Sequence, residues 1–315
     1  MKDRLAELPD NVLHSIISLL PMRDAVRTTI LSRKWSSIGK FLPNLDFQSS
    51  NILGNRFSLE DSRKLDCEGK KTYFLERKLN FVRAVNQFLQ LRSHGMKIES
   101  MRICFSLGVD HASHLDRWIE HTFASGIEKL DIELIDDFEA ISLEKYYVFP
   151  LHKLVHEKVA CLSSLKILRL QCLVMRHPPD FYGLKSLTTL SLDDVDVTDG
   201  DILKILSKCP LLEQLYLWSP SFINLDIPSC CSRLKYLDVK QSRKLENVSI
   251  NAPNVTNFIF CGDLINFSFV KVTRIEHIEL IIIRDCSNWI KYVVTKSPQL
   301  FPQLESLQFT MSRVC

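Results

Sequence analysis

Two histidines four residues apart, His152 and His156 in HKLVHEK, have a spacing that could hold a metal ion from one helix face. The pattern is not H-E-x-x-H and no third ligand accompanies it, so a solvated helix face is the simpler reading. DHASHLD offers a second group, with Asp110, His111, His114 and Asp116. There Asp110 is expected to cap the helix that carries Trp118 and Ile119. Paired acids at Asp136-Asp137 and Asp193-Asp194 could serve acid–base or metal-assisted hydrolysis, but neither pair stands beside a glycine-rich or basic partner. G-x-S-x-G, GxGxxG and GxxxxGK[ST] do not occur, and nine glycines are few for a nucleotide-binding fold. Catalysis, metal binding and a cofactor are therefore not expected.

Ten cysteines would suit a small disulfide-rich secreted chain, but the opening MKDRLAELPDN lacks the pattern of a signal peptide. No CxxC pair occurs, and the adjacent Cys230 and Cys231 are poorly placed for a bridge or a shared metal. Cys104, Cys172 and Cys261 lie in apolar runs, where a free thiol acts as a small hydrophobe. Reduced thiols, and hence a cytoplasmic and/or nuclear protein, are expected. The sequons at Asn247, Asn254 and Asn266 then carry no weight. The longest apolar run, Ile278 to Ile283, is too short to span a bilayer. A formal net charge of +3 implies neither nucleic acid nor a membrane as partner.

At 315 residues the chain can hold one large domain and a small one. The small one begins with LPDNVLHSIISLLP. On a helix from Asn11 to Leu20, the residues Val12, Leu13, Ile16, Ile17, Leu19 and Leu20 fill an arc of roughly 160°, against the roughly 100° that suffices for a surface helix. Pro9 fixes the entry, Asp10 is the expected N-cap and Pro21 the stop. A second short helix follows with Met22, Ala25, Val26 and Ile30. Ser32 caps a third, with Trp35, Ile38 and Leu42 on one side. Three such helices bury too little surface to stand alone. The excess apolar arc faces either the rest of the chain or a partner, and the residues by themselves leave both open.

A second pattern starts near residue 100. L-x-L pairs occur at Leu168/Leu170, Leu190/Leu192, Leu215/Leu217, Leu237/Val239, Phe258/Phe260, Ile278/Leu280 and Leu307/Phe309. Their steps of 22, 25, 22, 21, 20 and 29 residues match the 20–29-residue period of leucine-rich repeats. Weaker copies stand at Ile103/Phe105 and Leu130/Ile132. Each unit is read as a strand with a helical or irregular return, stacked so that neighbours share one core. Alternation then turns Leu215 and Leu217 inward and puts Gln214, Tyr216 and Trp218 on the concave face. Thr189, Ser191 and Asp193 stand in register with them, as do Ile167, Arg169 and Gln171 on one side and Tyr236, Asp238 and Lys240 on the other. That ladder mixes signs and carries aromatics, which suits a protein or small ligand better than phosphate. Residues 48 to about 75 read as a polar linker, and Phe81, Val85, Phe88 and Leu89 mark a helix expected to cap the first repeat.

LAELPDNVLHSIISLLPMRDAVRTTILSRKW resembles the F-box, and the repeats, with LENVSINAPNVTNFIFCGDL, resemble plant-type F-box/leucine-rich-repeat proteins. The resemblance implies a small three-helix F-box at 3–47, a linker and capping helix at 48–97, and an α/β leucine-rich-repeat solenoid at 98–315. It implies further that Leu8, Pro9, Val12, Ile16, Leu20, Pro21 and Val26 bind a Skp-type adaptor and through it a cullin, while Trp35 closes the domain's own core. Arg169, Gln171, Ser191, Asp193, Gln214, Tyr216, Trp218, Tyr236, Asp238 and Lys240 would hold a target protein for ubiquitination. Relatives of this type often continue into an FBD domain, whereas no FBD-like segment precedes Cys315. A repeat scaffold, or a decoy that binds without promoting ubiquitination, is the alternative.

Overall fold

The computed structural model describes residues 8–20, 24, 42–53, 66–92, 97–134, 146–153, 164–178, 181, 184–283 and 305–311. The chain forms two compact units, Met1–Tyr147 and Val148–Cys315.

The first unit opens with helix α1 (Asp10–Ser18). Three parallel strands follow: β1 (Asn44–Gln48), β2 (Ser100–Cys104) and β3 (Lys129–Glu133). Leu45, Met101 and Leu130 stand in register, as do Phe47, Ile103 and Ile132. The repeat pair on β2 is thus Met101/Ile103, two residues earlier than the expected Ile103/Phe105. Phe105 lies past the strand end and stacks on Phe81 with ring centroids 4.3 Å apart.

Helix α2 (Cys67–Leu91) starts within the stretch read as a linker. Asp66 caps it by accepting from the Gly69 amide at 2.8 Å. Its place between β1 and β2 makes it the connection between two strands of one sheet rather than an end cap. Phe81 and Val85 are buried, and Phe88 meets Phe47 edge-on at 5.7 Å. At its end, the buried Arg92 guanidinium donates to the carbonyls of Leu42 and Lys97. These residues precede β1 and β2, so one cation holds the starts of both strands.

Helix α3 (Ala112–Ala124) connects β2 to β3 and buries Leu115, Trp118, Ile119 and Phe123. Trp118 satisfies its indole N–H on Asn86 of α2 at 2.8 Å, as a buried tryptophan must. Asp110 lies in a 3-10 turn, and no side chain caps α3. That differs from the expected cap, because the tight turn already brings the chain into the helix.

In the second unit, β4 (Ile167–Gln171), β5 (Thr189–Asp193) and β6 (Gln214–Trp218) run parallel. Helix α4 (Asp199–Ser207) joins β5 to β6, capped by Thr198. Beyond it the chain alternates between two sheets. β7 (Asn224–Ile227), β9 (Asn247–Ile250) and β11 (Asn266–Phe269) form a short parallel sheet. β8 (Tyr236–Ser242), β10 (Asn257–Gly262), β12 (His277–Ile282) and β13 (Ser306–Met311) extend the sheet begun by β4. The seven L-x-L pairs align across it: Leu168 with Leu190, Leu215, Leu237, Phe258, Ile278 and Leu307.

Three of the returns therefore hold a short strand where a helical or irregular path was expected. Leu225, Ile227, Val248 and Ile250 are buried between the sheets. At the β10 end, Phe258 and Phe260 meet Phe267 edge-on at 5.7 and 5.1 Å. Asparagines ladder along the short sheet, Asn266 donating to Asn247 and Asn247 to Asn224, which ends on Asp199 at 2.7 Å.

Cys172, Asp194 and Ser219 follow their strands with φ of 56°, 49° and 48°. Gln241, at φ 54°, is the extra residue where the β8–β10 register shifts. Of the cysteines read as small hydrophobes, Cys172 is buried, whereas Cys104 and Cys261 are half-buried on the opposite side of their strands. Alternation, not the apolar neighbours, decides their side.

Candidate interaction surfaces

Pro9 leads into α1 with φ −57°, and its carbonyl accepts from Val12 and Leu13, both at 3.1 Å. Asp10 is the first helical residue instead of the cap, and no side chain caps this end. The last turn tightens, Leu19 and Leu20 donating to Ile16 and Ile17. Burial changes in order across the wide apolar arc. Leu13 and Ile17 are buried at one side; Ile16 and Leu20 are half-buried in the middle. Val12 (38% exposed) and Leu19 (85%) lie at the other side. Leu8 is half-buried and Pro9 exposed. Pro21 and Val26, like Trp35, lie outside the described residues.

This gradient shows that the fold covers only part of the arc. Leu13 and Ile17, i and i+4, supply the internal anchor. Leu19, which follows the last helical residue and is absent from the expected contact set, is the most exposed residue of the arc. Its position at the edge of the arc was visible in the sequence, but the sequence did not say which edge the protein covers.

The ten residues expected on the repeat face all lie in the large sheet of the second unit and on its open side. Gln214, Tyr216 and Trp218 pair in register with Thr189, Ser191 and Asp193 on one side and with Tyr236, Asp238 and Lys240 on the other. Arg169 and Gln171 align with Ser191 and Asp193. Gln214 and Trp218 are exposed; Arg169, Gln171, Ser191, Asp193, Tyr216, Tyr236 and Lys240 are half-buried. Asp238, in register on the same ladder, is buried at 2% exposure.

The surroundings of Asp238 explain how a carboxylate is tolerated there. Lys240 donates to its Oδ2 at 2.9 Å, and the same ammonium lies 5.4 Å from the centroid of the Trp218 ring. Hydrogen bonding to Asp238 raises the Lys240 pKa, so the amine stays charged. Tyr216 and Tyr236 flank the group with ring centroids 5.3 Å apart. Burial first, then the Asp238 charge, push the Tyr236 phenol up, so it remains a neutral donor. Asp238 Oδ1 is buried and has no hydrogen-bond partner among the described residues.

Sequence reading stopped at β8, but the same alternation puts Ile259 and Glu279 level with Asp238. It also missed the first unit's open face. There Asp46, Arg102 and Asp131 align, and Arg102 grips both carboxylate oxygens of Glu133 at 2.9 and 3.0 Å.

The residues considered for chemistry go to other tasks. Asp116 accepts from the Tyr147 hydroxyl at 2.6 Å, while His114 Nδ1 lies 3.1 Å from Arg117. Asp194 accepts from the Cys172 thiol at 3.6 Å. His152 is exposed on a 3-10 turn; His156, Asp136 and Asp137 lie outside the described residues. No group of three or more His, Cys, Asp or Glu placed to hold a metal occurs among the described residues. Among them, too, no helix is long and apolar enough to cross a membrane.

Comparison with known families matches residues 5–46 to the F-box domain and residues 89–313 to the At1g61320/AtMIF1 LRR domain. Among curated proteins, the chain is 29% identical over 282 residues to F-box/LRR-repeat protein At3g58900 of Arabidopsis thaliana, covering 83% of this chain and 74% of that one. It is 30% identical to F-box/FBD/LRR-repeat protein At2g04230 of the same plant, covering 81% of this chain and 52% of the relative. FBD-associated F-box protein At5g38590 is also 30% identical, with 75% and 50% covered. The chain thus spans from about half to about three quarters of the length of these relatives. With an F-box match at its start and a repeat match over most of the rest, the chain belongs to the F-box/leucine-rich-repeat family.

Proposed function

We propose that this chain is the substrate-recognition subunit of a Skp-cullin-F-box ubiquitin ligase. The observation that carries the reading is the burial gradient on α1, which leaves Val12 and Leu19 exposed beside the half-buried Leu8, Ile16 and Leu20. Each large aliphatic side chain covered by a partner contributes about 1.5–3 kcal/mol, so three or four suffice to anchor a complex. Leu8, Pro9, Val12, Ile16, Leu20, Pro21 and Val26 form the contact set for the Skp-type adaptor, to which the exposed Leu19 adds.

The open face of the second unit holds the target protein, through residues between Arg169 and Lys240. Ubiquitin transfer takes place on the other subunits, and the chain itself needs neither metal nor cofactor. Its contribution is proximity: tethering raises the target's effective concentration near the charged ubiquitin carrier, to the millimolar range for short flexible links. The family's non-catalytic adaptor character and the reduced cysteines fit work in the cytoplasm and/or nucleus.

Co-expression with a Skp-type adaptor tests the reading. The wild type should co-purify in a 1:1 complex, and the double variant Leu8→Ala, Pro9→Ala should lose the adaptor while keeping its circular dichroism. A wild type that stays well folded and alone would rule the ligase role out.

A further inference from the structure

We propose that Cys230 and Cys209 are a hydroperoxide-sensitive pair, which oxidation converts into a disulfide between neighbouring repeats of the second unit. The pair is independent of the ligase reading and goes beyond it.

Three thiols meet at the C-terminal end of α4, each on its own carbonyl of the last turn. Cys209 Sγ donates to Ile205 at 3.2 Å, Cys231 Sγ to Leu206 at 3.5 Å and Cys230 Sγ to Ser207 at 3.7 Å. Those carbonyls are consecutive, and successive helical residues rise only about 1.5 Å, so the three sulfurs are gathered at one helix end. The Leu206 carbonyl also accepts from the Cys209 amide at 3.1 Å, so Cys209 and Cys231 share it.

Packing accounts for two of the three. Cys209 stands six residues before Leu215 and Cys231 six before Leu237, and these leucines are register partners on β6 and β8. Each cysteine closes the same turn: the Cys209 amide donates to Leu206 and the Leu212 amide to Cys209, as Cys231 does to Pro228 and Leu234 to Cys231. Both are buried, and a buried thiol serves there as a small hydrophobe. Cys230 has no such task. It is exposed, yet its thiol lies on the same helix end.

Exposure sets the order of events. Burial pushes the Cys209 and Cys231 thiols up to about 12, with Cys230 raising each further, so neither competes for the oxidant. The Cys230 thiolate attacks hydrogen peroxide: an S–O bond forms, the O–O bond breaks, and hydroxide leaves and is protonated to water. The Cys209 thiol then attacks the Cys230 sulfur. An S–S bond forms, the S–O bond breaks, and the sulfenic oxygen leaves as a second water with the thiol proton. Two thiols thus lose two electrons and two protons, and one peroxide is reduced to two waters. Cys231 is the wrong partner, because adjacent Cα atoms lie about 3.8 Å apart, short of the roughly 4.4–6.8 Å that a disulfide spans. Neighbouring strands are about 4.8 Å apart, which brings the Cys209 repeat within that range. The bridge would tie the entry of β6 to that of β8, the strands that carry Trp218 and Lys240.

The test treats the full chain with hydrogen peroxide and maps its fragments without reduction. Between Cys209 and Cys230 lies Glu213 but no lysine or arginine, so cleavage after glutamate separates the two cysteines unless they are bridged. The wild type should give a joined fragment that dithiothreitol releases, and a higher urea midpoint, since the bridge constrains the unfolded chain. Cys230→Ser should slow the joining roughly tenfold or more, as it removes the accessible thiol. Cys209→Ser should abolish it, whereas Cys231→Ser and Cys261→Ser should leave it intact. If Cys209→Ser fails to fold, Cys230→Ser decides, because that side chain is exposed. Absence of a joined fragment overturns the pair, as does a bridge confined to Cys230 and Cys231 or one between two chains. Joining that survives Cys230→Ser at the wild-type rate and is lost in Cys231→Ser overturns it too, because the two buried thiols would then react alone.

Discussion

Leu13 and Leu19 stand six residues apart on one short helical segment, yet Leu13 is fully buried and Leu19 is 85% exposed. The same residue type is thus used once to hold the helix on its own protein and once to face outward. Replacing each should separate the two uses. Leu13→Ala removes a buried side chain and should cost about 2–5 kcal/mol of stability. Leu19→Ala should cost less than about 0.5 kcal/mol in the free chain. Urea unfolding of the two variants measures the difference.

Arg92 should prove the most sensitive charged residue of the first unit. It is 3% exposed and holds the carbonyls of Leu42 and Lys97 at the starts of two strands. Burial pulls its pKa down, but a guanidinium remains charged at any physiological pH. Arg92→Met leaves two carbonyls without their charged donor, and should destabilise the protein by roughly 2–4 kcal/mol. Arg92→Lys should recover only part of the loss, since an ammonium lacks the fork that reaches both oxygens. Chemical denaturation of the three proteins gives the ranking.

The strand ends of the second unit predict a preference for backbone freedom. Ser219 has φ 48° and donates to Gln241 Oε1 at 3.0 Å. A β-branched residue tolerates that backbone region poorly. Ser219→Val should be less stable than Ser219→Gly by about 1–2 kcal/mol, although both lose the same hydrogen bond. Thermal melts of the pair isolate the backbone effect, because the side-chain bond is missing from each.

Acid should weaken the first unit through His111. Burial, and secondarily the Lys78 charge, lower its pKa below the ordinary 6.5, against a raising influence from Asp110; His114 lowers it further. The unfolded chain therefore binds this proton more readily than the folded one. Stability supplied by the neutral ring is complete above pH 6.5 and is lost as pH falls through the depressed folded value. His111→Gln should flatten the stability–pH curve on that limb, as measured by urea midpoints between pH 7 and 5.

Much of the repeat architecture is legible because the L-x-L spacing carries both strand position and register. Leu190, Leu215 and Leu237 align as the period demands. What the sequence hid has identifiable causes. Strand β1 escaped notice because Leu45 and its partner Met101 are separated by a long connection that breaks the period. The first half of α2 looked like linker because residues such as Leu75 and Glu76 are exposed, leaving little amphipathic signal. The short β7–β9–β11 sheet rests on four-residue strands, whose alternation is too brief to tell from a loop. Alternation alone puts Asp238 on the concave face, but not its near-complete burial with Lys240 held on it. Pairwise neighbours of that kind belong to the folded sheet and not to any one repeat.

Adaptor affinity of a single exposed-face variant tests the central claim most directly. Val12 is 38% exposed beside the buried Leu13, so Val12→Asp puts a charge on the outward side of α1 without opening the core. In calorimetric titration with a Skp-type adaptor, the wild type should bind with 1:1 stoichiometry. Val12→Asp, with an unchanged urea midpoint, should bind at least a hundredfold more weakly. Equal affinity of the two proteins, or no binding by the wild type, would contradict the docking role of this face.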